Sequence, residues 1–302
     1  MLVVALGGNA LVRRGQAAEA AVQRANLLRA VEPLAALLKD EAAIVTHGNG
    51  PQVGLLALQG EHYRGVAPYP LDILNAETEG MVGYLIEQAL HNRLPGRKIA
   101  CLLTQVLVDA ADPAFAHPEK PVGPLYSASR ARELMRARHW PMVRDGTGYR
   151  RVVSSPEPIR IIELATIRML LEAGALVICA GGGGIPVVAC PGQGLVGVEA
   201  VVDKDLSAAL LGVAIGAGRL LLLTDVEGVY ADWEEGRGRL LREVRVPELR
   251  SMHFAAGTMG PKVEAACRFV EATGGWASIG ALEDAAALCA GRAGTQVRGA
   301  DR

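Results

Sequence analysis

Lysine is scarce in this 302-residue chain: 26 arginines stand against five lysines, Lys39, Lys98, Lys120, Lys204 and Lys262. Lys39 and Lys98 fall in polar flanks of a helix and a strand and read as surface residues. The other three sit at glycine-proline or strand-end junctions, in Lys120-Pro-Val-Gly-Pro124, Asp203-Lys204-Asp205 and Gly257-Thr-Met-Gly-Pro-Lys262. A lysine is a compact, mobile point charge that can follow a migrating phosphoryl group, which the rigid arginine fork does less readily. Gly257–Lys262 runs directly into the helix-periodic segment Val263–Glu271, where outward N–H groups and the helix dipole add positive charge. The result is a cationic socket suited to holding a phosphate while charge moves through it. Ordinary surface lysine is the competing reading for each of the three. Asp203 and Asp205 flank Lys204 at a helix start, where an aspartate can cap the helix, orient ammonium groups, or do both.

Glycine turns supply the other chemistry. Strand-like runs end at Gly7-Gly8-Asn9, Gly48-Asn49-Gly50, Gly181–Gly184 and the turn after Thr224. Any one of these has a backbone reason to be glycine, but four at the carboxyl ends of strands mark a ligand-binding edge in an open α/β sheet. No Gly-x-x-x-x-Gly-Lys-Ser/Thr loop is present. Gly192-Gln-Gly-Leu-Val-Gly197 matches a dinucleotide motif by letters, yet it leads into strand-like Val198–Val202 where that motif needs a helix. His47 beside Gly48 is a tempting base, but packing or hydrogen bonding is the favoured reading. No His/Cys cluster has metal-ligand spacing.

The elements that must position these groups alternate along the chain. Apolar runs at Leu2–Leu6, Ala42–Thr46, Lys98–Thr104, Ala175–Cys179, Arg219–Thr224 and Trp276–Gly280 read as strands covered on both faces. Helices are expected over 17–39, 71–91, 159–173 and 206–217, with a final one through Ala290. In the 159–173 helix, Ile162, Ala165, Thr166, Met169, Leu170 and Ala173 form one apolar stripe. This rhythm predicts an α/β fold: an open, mostly parallel central sheet between helical layers, a three-layer αβα sandwich. Prolines and glycines break the pattern over 111–158, which reads as a small protruding subdomain with short hairpins. Seven arginines between Arg130 and Arg151 form either a solvated surface or an arm that attracts an anionic substrate.

Composition narrows the function. The net charge of −1 gives no field for nucleic acid or an anionic membrane, and neither is an expected partner. The longest apolar run, around Leu206–Ala217, falls short of a spanning helix, and the N-terminus reads as a strand rather than a signal peptide. Five scattered cysteines without a Cys-x-x-Cys pair suit a reducing cytoplasm.

Taken together, the junctions resemble the carbamate kinases of the amino acid kinase family. The matching segments are Leu6–Leu11, His47–Gly54, Lys120–Pro124, Gly148–Val153, Ala180–Val187, Glu199–Leu206, Leu223–Tyr230 and Gly257–Ala265, in the family's order and across nearly the whole chain. The resemblance implies the reaction carbamoyl phosphate + ADP ⇌ carbamate + ATP, with Mg²⁺ held mainly by the nucleotide phosphates, and a homodimer. It implies one kinase domain with an acceptor lobe over 1–198 and a nucleotide lobe over 199–302. Lys120, Lys204 and Lys262 would contact the phosphoryl group in flight, with Asp205 positioning Lys204 and Lys262. Gly7, Gly8, Asn9, Gly48, Asn49 and Gly50, with Gly181 and Gly182, would cradle the acceptor. Thr224, Asp225, Val226, Tyr230, Met259 and Gly260 would border the nucleotide. Acetylglutamate and aspartate kinases carry a lysine in the first strand-turn; here that place reads Leu6-Gly-Gly-Asn9, and Lys120 would substitute for it.

Departures from the family pattern are small: Ser154 and Ala256 stand where proline is usual or frequent, and Thr258 where serine is common. Glu119, next to Lys120, is a candidate tether for that lysine in the empty site. Two alternatives stay open at this stage: a kinase of another small acid or phosphate, and a nucleotide-binding sensor without turnover.

Overall fold

The computed structural model describes residues 1–13, 16–62, 65–234, 237–254 and 259–300. Gly257 and Thr258, the start of the last lysine motif, lie outside the described residues, as does Ala256. The first half of the chain runs β1 (Leu2–Leu6), α1 (Ala20–Leu38), β2 (Ala43–His47), α2 (Gly50–His62), α3 (Leu71–Arg93), β3 (Ile99–Cys101) and β4 (Gln105–Leu107). An excursion follows: β5 (Lys120–Tyr126), α4 (Ala128–Arg138), β6 (Met142–Asp145) and β7 (Gly148–Val153). The chain returns through β8 (Arg160–Ile161), α5 (Leu164–Glu172), β9 (Leu176–Ile178), β10 (Ile185–Cys190) and β11 (Gly194–Gly197). It ends with α6 (Lys204–Ile215), β12 (Arg219–Thr224), β13 (Tyr230–Glu234), β14 (Arg237–Leu240), β15 (Glu243–Arg245), α7 (Val246–Arg250), α8 (Gly260–Thr273), β16 (Trp276–Ala281), α9 (Ala285–Cys289) and β17 (Thr295–Arg298).

Among the described residues, an eight-stranded sheet has the order β15-β17-β16-β12-β1-β2-β9-β3. Every pairing in it is parallel except β16 with β17. β1 is apolar throughout because both its faces are covered. Val3 and Ala5 join Ile44, Leu220 and Leu222 in the core shared with α5, α6 and α8. Leu2, Val4 and Leu6 point the other way, into the core shared with α1, α3 and α9. These two cores are the interfaces of a three-layer αβα sandwich. On the α6/α8 side the helices approach closely: a Cβ on Gly212 would lie 2.8 Å from the ring of Phe269.

The excursion is a three-stranded antiparallel sheet, β5-β7-β6, with α4 against it. Of the short hairpins expected, one is present, β6–β7, and α4 is an element the proline-rich reading passed over. Ser127 starts it: its Oγ accepts from the Arg130 N–H, and Ala131 and Leu134 are its buried face. A third apolar cluster, Val53, Leu71, Leu74, Val122, Val153 and Val201, seats the excursion on α2 and α3. At that seat the two backbones touch, since a Cβ on Gly54 would sit 2.4 Å from the Gly123 Cα.

The expected helix over 159–173 needs correction. Residues 160–161 form a short strand paired with β4, and the helix begins only at Leu164. Its buried residues are Ile167 and Leu171, while Met169 of the expected stripe is 59% exposed. Apolar residues occur nearly all round this segment, so periodicity alone chose the wrong face. Val198–Val202, expected as strand-like, contributes only an isolated bridge between Ser154 and Ala200. Gly192–Gly197 lies at and within the β10–β11 hairpin, so its Gly-x-Gly-x-x-Gly letters do not open a helix.

Candidate active site

Strand register brings the glycine turns together. Leu6 pairs with both His47 and Leu223, so the residues that follow β1, β2 and β12 leave the sheet side by side. The Gly7 N–H donates to Leu223 O at 3.0 Å, and the Gly48 N–H donates to Leu6 O at 3.0 Å. Gly8 opens a 3₁₀ turn over Gly8–Ala10, and Gly50 is the first residue of α2. The side chain of Asn9 lies outside the described residues. A Cβ on Gly48 would meet the Gly8 nitrogen at 3.0 Å and the Cδ of Lys204 at 3.4 Å. The first two turns and Lys204 therefore share one spot on the carboxyl edge of the sheet.

The lysines converge through two aspartates. Asp203 caps α6: its Oδ1 accepts from the N–H groups of Asp205 at 2.9 Å and Leu206 at 3.3 Å. Its Oδ2 accepts from Nζ of Lys120, reaching in from β5, at 2.5 Å. Capping and ammonium binding thus coexist in one side chain. The carboxylate that meets Lys120 is Asp203; the sequence offered Glu119 as a tether. Asp205, in the first turn of α6, divides its oxygens between two lysines. Oδ1 is paired with Lys204 and Oδ2 with Lys262, the latter at 2.8 Å. Lys262 stands in the first turn of α8, with Pro261 just inside the helix start.

Burial sets the charge states. Burial alone would raise the Asp205 carboxyl, but Lys204 and Lys262 hold it well below the usual carboxylate range. Lys204 is pushed down to about 8, first by loss of solvent and then by the neighbouring Lys262, against the pull of Asp205. For Lys262 burial works against the charge, and the Asp205 carboxylate outweighs it, raising the ammonium's affinity for its proton. His47 is fully buried, and that burial lowers it to about 4, so it is neutral at ordinary pH. Its Nδ1 lies 3.3 Å from Gly48 O. A neutral imidazole tucked under the turn is in keeping with packing rather than base chemistry.

In the segment expected to border a nucleotide, Thr224 ends β12 and its Oγ1 donates to the Asp225 carboxylate at 3.2 Å. Asp225 and Val226 are exposed, and the Tyr230 hydroxyl donates to Glu227 at 3.3 Å. Met259 and Gly260 are the cap and first residue of α8, which places them directly before Lys262.

The site also contains groups that sequence reasoning did not single out. Asn75, Thr78 and Glu79 form a buried polar row on α3 beneath the turns at Asn49 and Gly181. Their i, i+3, i+4 spacing inside an otherwise apolar helix face was the available signal. Arg151 of β7 stacks on Trp140 with its guanidinium 4.0 Å from the ring centre, and pairs with Glu199 at 2.8 Å. The other oxygen of Glu199 accepts from the Leu71 N–H at the start of α3. This pair ties the excursion that carries Lys120 to the segment that leads into Asp203.

Three lysines gathered on two aspartates, with Lys204 beside the Gly48 turn at the carboxyl edge of a parallel sheet, are an arrangement suited to phosphoryl transfer. The amino acid kinase family model matches residues 1–278. A carbamate kinase of Rhizobium meliloti is 52% identical over 297 residues, 97% of this chain and 92% of its own length. One of Pyrococcus furiosus is 43% identical and covers 98% of each chain. Among solved structures, the carbamate kinase of Giardia lamblia bound to AMP-PNP matches with a TM-score of 0.90 at 37% identity, over 99% of this chain and 98% of that one. The chain belongs to the amino acid kinase family, and these full-length relatives within it are carbamate kinases.

Proposed function

We propose that the chain catalyses the reversible reaction carbamoyl phosphate + ADP ⇌ carbamate + ATP by direct in-line phosphoryl transfer. The observation that carries this reading is the convergence of Lys120, Lys204 and Lys262 on Asp203 and Asp205, beside Gly8 and Gly48. Carbamate is already an anion, so its attack on phosphorus needs no general base, and catalysis reduces to alignment and charge neutralisation. Lys262 holds the phosphoryl group from the nucleotide side, bordered by Thr224, Asp225, Val226, Tyr230, Met259 and Gly260. Lys204 shares it at the centre. Lys120 covers it from the 111–158 subdomain and turns from Asp203 to the phosphoryl oxygens when they arrive. Gly7, Gly8, Asn9, Gly48, Asn49, Gly50, Gly181 and Gly182 frame the acceptor. On this reading residues 1–198 are the acceptor lobe and 199–302 the nucleotide lobe of one domain.

The nucleotide enters as its Mg²⁺ complex. Both carboxylate oxygens of Asp205 are paired with lysines. On this reading the metal would be held chiefly by phosphate oxygens and water, in keeping with its reluctance to dehydrate. A homodimer belongs to the same reading: Ile73, Met81 and Tyr84 line one exposed face of α3, with exposed Leu103 beside it. Among the described residues no helix is long and apolar enough to cross a membrane. The five free cysteines support a reducing, cytoplasmic setting. Initial rates in both directions, ADP with carbamoyl phosphate and ATP with carbamate, test the proposal. Turnover in both supports it, and transfer to neither substrate pair overturns it.

A further inference from the structure

The buried polar row on α3 is expensive and is used in full. Asn75, Thr78 and Glu79 are each 1% exposed or less, on a helix whose other buried residues there are largely apolar. Packing alone is served better by leucine or alanine, because buried polar groups cost free energy unless every bond is made. Here the bonds are made: the Thr78 hydroxyl donates back into its own helix, and the other bonds run to the turns and segments around the site. Oε1 of Glu79 accepts from the Gly181 N–H at 2.9 Å, and Oε2 accepts from the Thr104 N–H at 3.2 Å. Oγ1 of Thr78 accepts from the amide nitrogen of Asn49 at 2.9 Å, supported by Asn75 Oδ1 at 3.3 Å. The amide nitrogen of Asn75 donates to Ala200 O at 3.2 Å, in the segment leading to Asp203. One helix face is thus bonded to the turn after β2, the turn after β9, the connection after β3 and the approach to α6.

Space at the turn is as tight as its bonding. A Cβ on Gly181 would lie 2.4 Å from the His47 ring and 2.9 Å from Cγ of Glu79. The Gly181 backbone is clamped between imidazole and carboxyl. Burial drives the Glu79 carboxyl up to about 8, opposed by the N–H groups of Thr104 and Gly181, with Glu163 adding a smaller push upward. A carboxyl with its folded pKa above its ordinary value contributes stability that is present below that value and lost as pH rises through about 8. Near pH 8 Glu79 therefore works against folding, and its retention is better accounted for by what it holds.

We propose that Glu79, with Thr78, positions the acceptor-side turns at Gly181 and Asn49 for carbamoyl phosphate, touching neither substrate. The inference rests on the phosphoryl-transfer reading above and deepens it: acceptor affinity is set from behind, by α3. The full-length Glu79→Gln and Thr78→Val variants test it, with KM for carbamoyl phosphate and for ADP measured separately, alongside thermal unfolding at pH 8. The Gln amide turns an NH₂ toward one of two N–H groups, so a turn must shift. The expected result is a rise in KM for carbamoyl phosphate of about 10- to 100-fold, with KM for ADP within about twofold. The Tm of Glu79→Gln at pH 8 is expected at or above that of the parent chain. Thr78→Val gives the same split with smaller size, and it decides the matter alone should Glu79→Gln fail to fold. Unchanged constants, or equal loss for both substrates with a lower Tm, overturn the positioning role. A parent chain that makes no ATP from carbamoyl phosphate and ADP overturns both this role and the reaction. Parent activity without the split overturns the role alone.

Discussion

The Nζ of Lys262 lies 2.8 Å from Oδ2 of Asp205, and the other oxygen of the same carboxylate is paired with Lys204. Two helices far apart in the chain, α6 and α8, therefore deliver first-turn cations to one anion. A single carboxylate between two ammonium groups leaves net positive charge, and that surplus is what an incoming phosphoryl group neutralises.

Asp205→Asn removes the carboxylate that Lys204 and Lys262 share. Breaking a buried pair by deleting one partner costs about 3–5 kcal/mol, so denaturant unfolding should show a loss of that order. The sign with pH follows from the lowered Asp205 carboxyl. Its stabilisation is full above the ordinary carboxylate value of 3.8 and disappears as pH falls through the depressed folded value. The parent chain should lose stability more steeply than Asp205→Asn on acidification below about pH 4.

The proposed role of Lys204 requires a cation, and burial has brought its titration down to about 8. In the free enzyme, kcat/KM is expected to fall as pH rises through that value, because the ammonium is lost. Lys204→Arg should remove the limb from whatever activity remains, since arginine does not deprotonate in this range. Glu79 also titrates near 8, among His47, Cys101, Cys179 and Glu163. Glu79→Gln must keep the limb if Lys204 is its source. Loss of the limb in Glu79→Gln assigns it to the wrong group.

The Lys120–Asp203 pair is a mild contact. The lysine side chain is 33% exposed, and pairs of that kind contribute up to about 1 kcal/mol. Asp203→Asn keeps a good helix cap and should change stability by less than about 1 kcal/mol. Asp203→Ala loses the cap as well and should cost about 1 kcal/mol more. Lys120→Ala is expected to lower kcat by about 100-fold or more with KM for ADP nearly unchanged. Equal loss of ADP binding contradicts the role given to Lys120.

The seat of the excursion decides whether Lys120 reaches the site. Gly54→Ala places a methyl group 2.4 Å from the Gly123 Cα, and Arg151→Ala removes both the Trp140 stack and the Glu199 pair. Both variants should lose kcat while ADP affinity, measured by calorimetry, stays within about threefold. Hydrogen exchange in residues 120–153 should quicken in both. Wild-type exchange together with lost activity contradicts this account.

Much of this was legible because it is local. Continuous apolar runs with glycine ends, such as Leu2–Leu6 into Gly7-Gly8, announce parallel strands and their binding edge. Three lysines out of five stand in glycine or helix-start contexts, which marked Lys120, Lys204 and Lys262 before any contact was known. The parts that were not legible depend on distance in the chain. Asp203 and Lys120 are 83 residues apart, and nothing in either segment names the other. The spacing of Asn75, Thr78 and Glu79 marks a polar row, but its partner at Gly181, 102 residues on from Glu79, shows only once α3 is set under that turn. The buried face of α5 was misjudged because apolar residues surround it, so tertiary packing made the choice. Helix α4 was lost among prolines that in fact lie outside it.

The central claim is that Lys262 carries the phosphoryl group in transit. The direct test is the initial rate of ATP formation from carbamoyl phosphate and ADP by Lys262→Ala, compared with the parent chain at equal folded concentration. The account predicts a rate lower by about 100-fold or more. A variant that forms ATP as fast as the parent contradicts it.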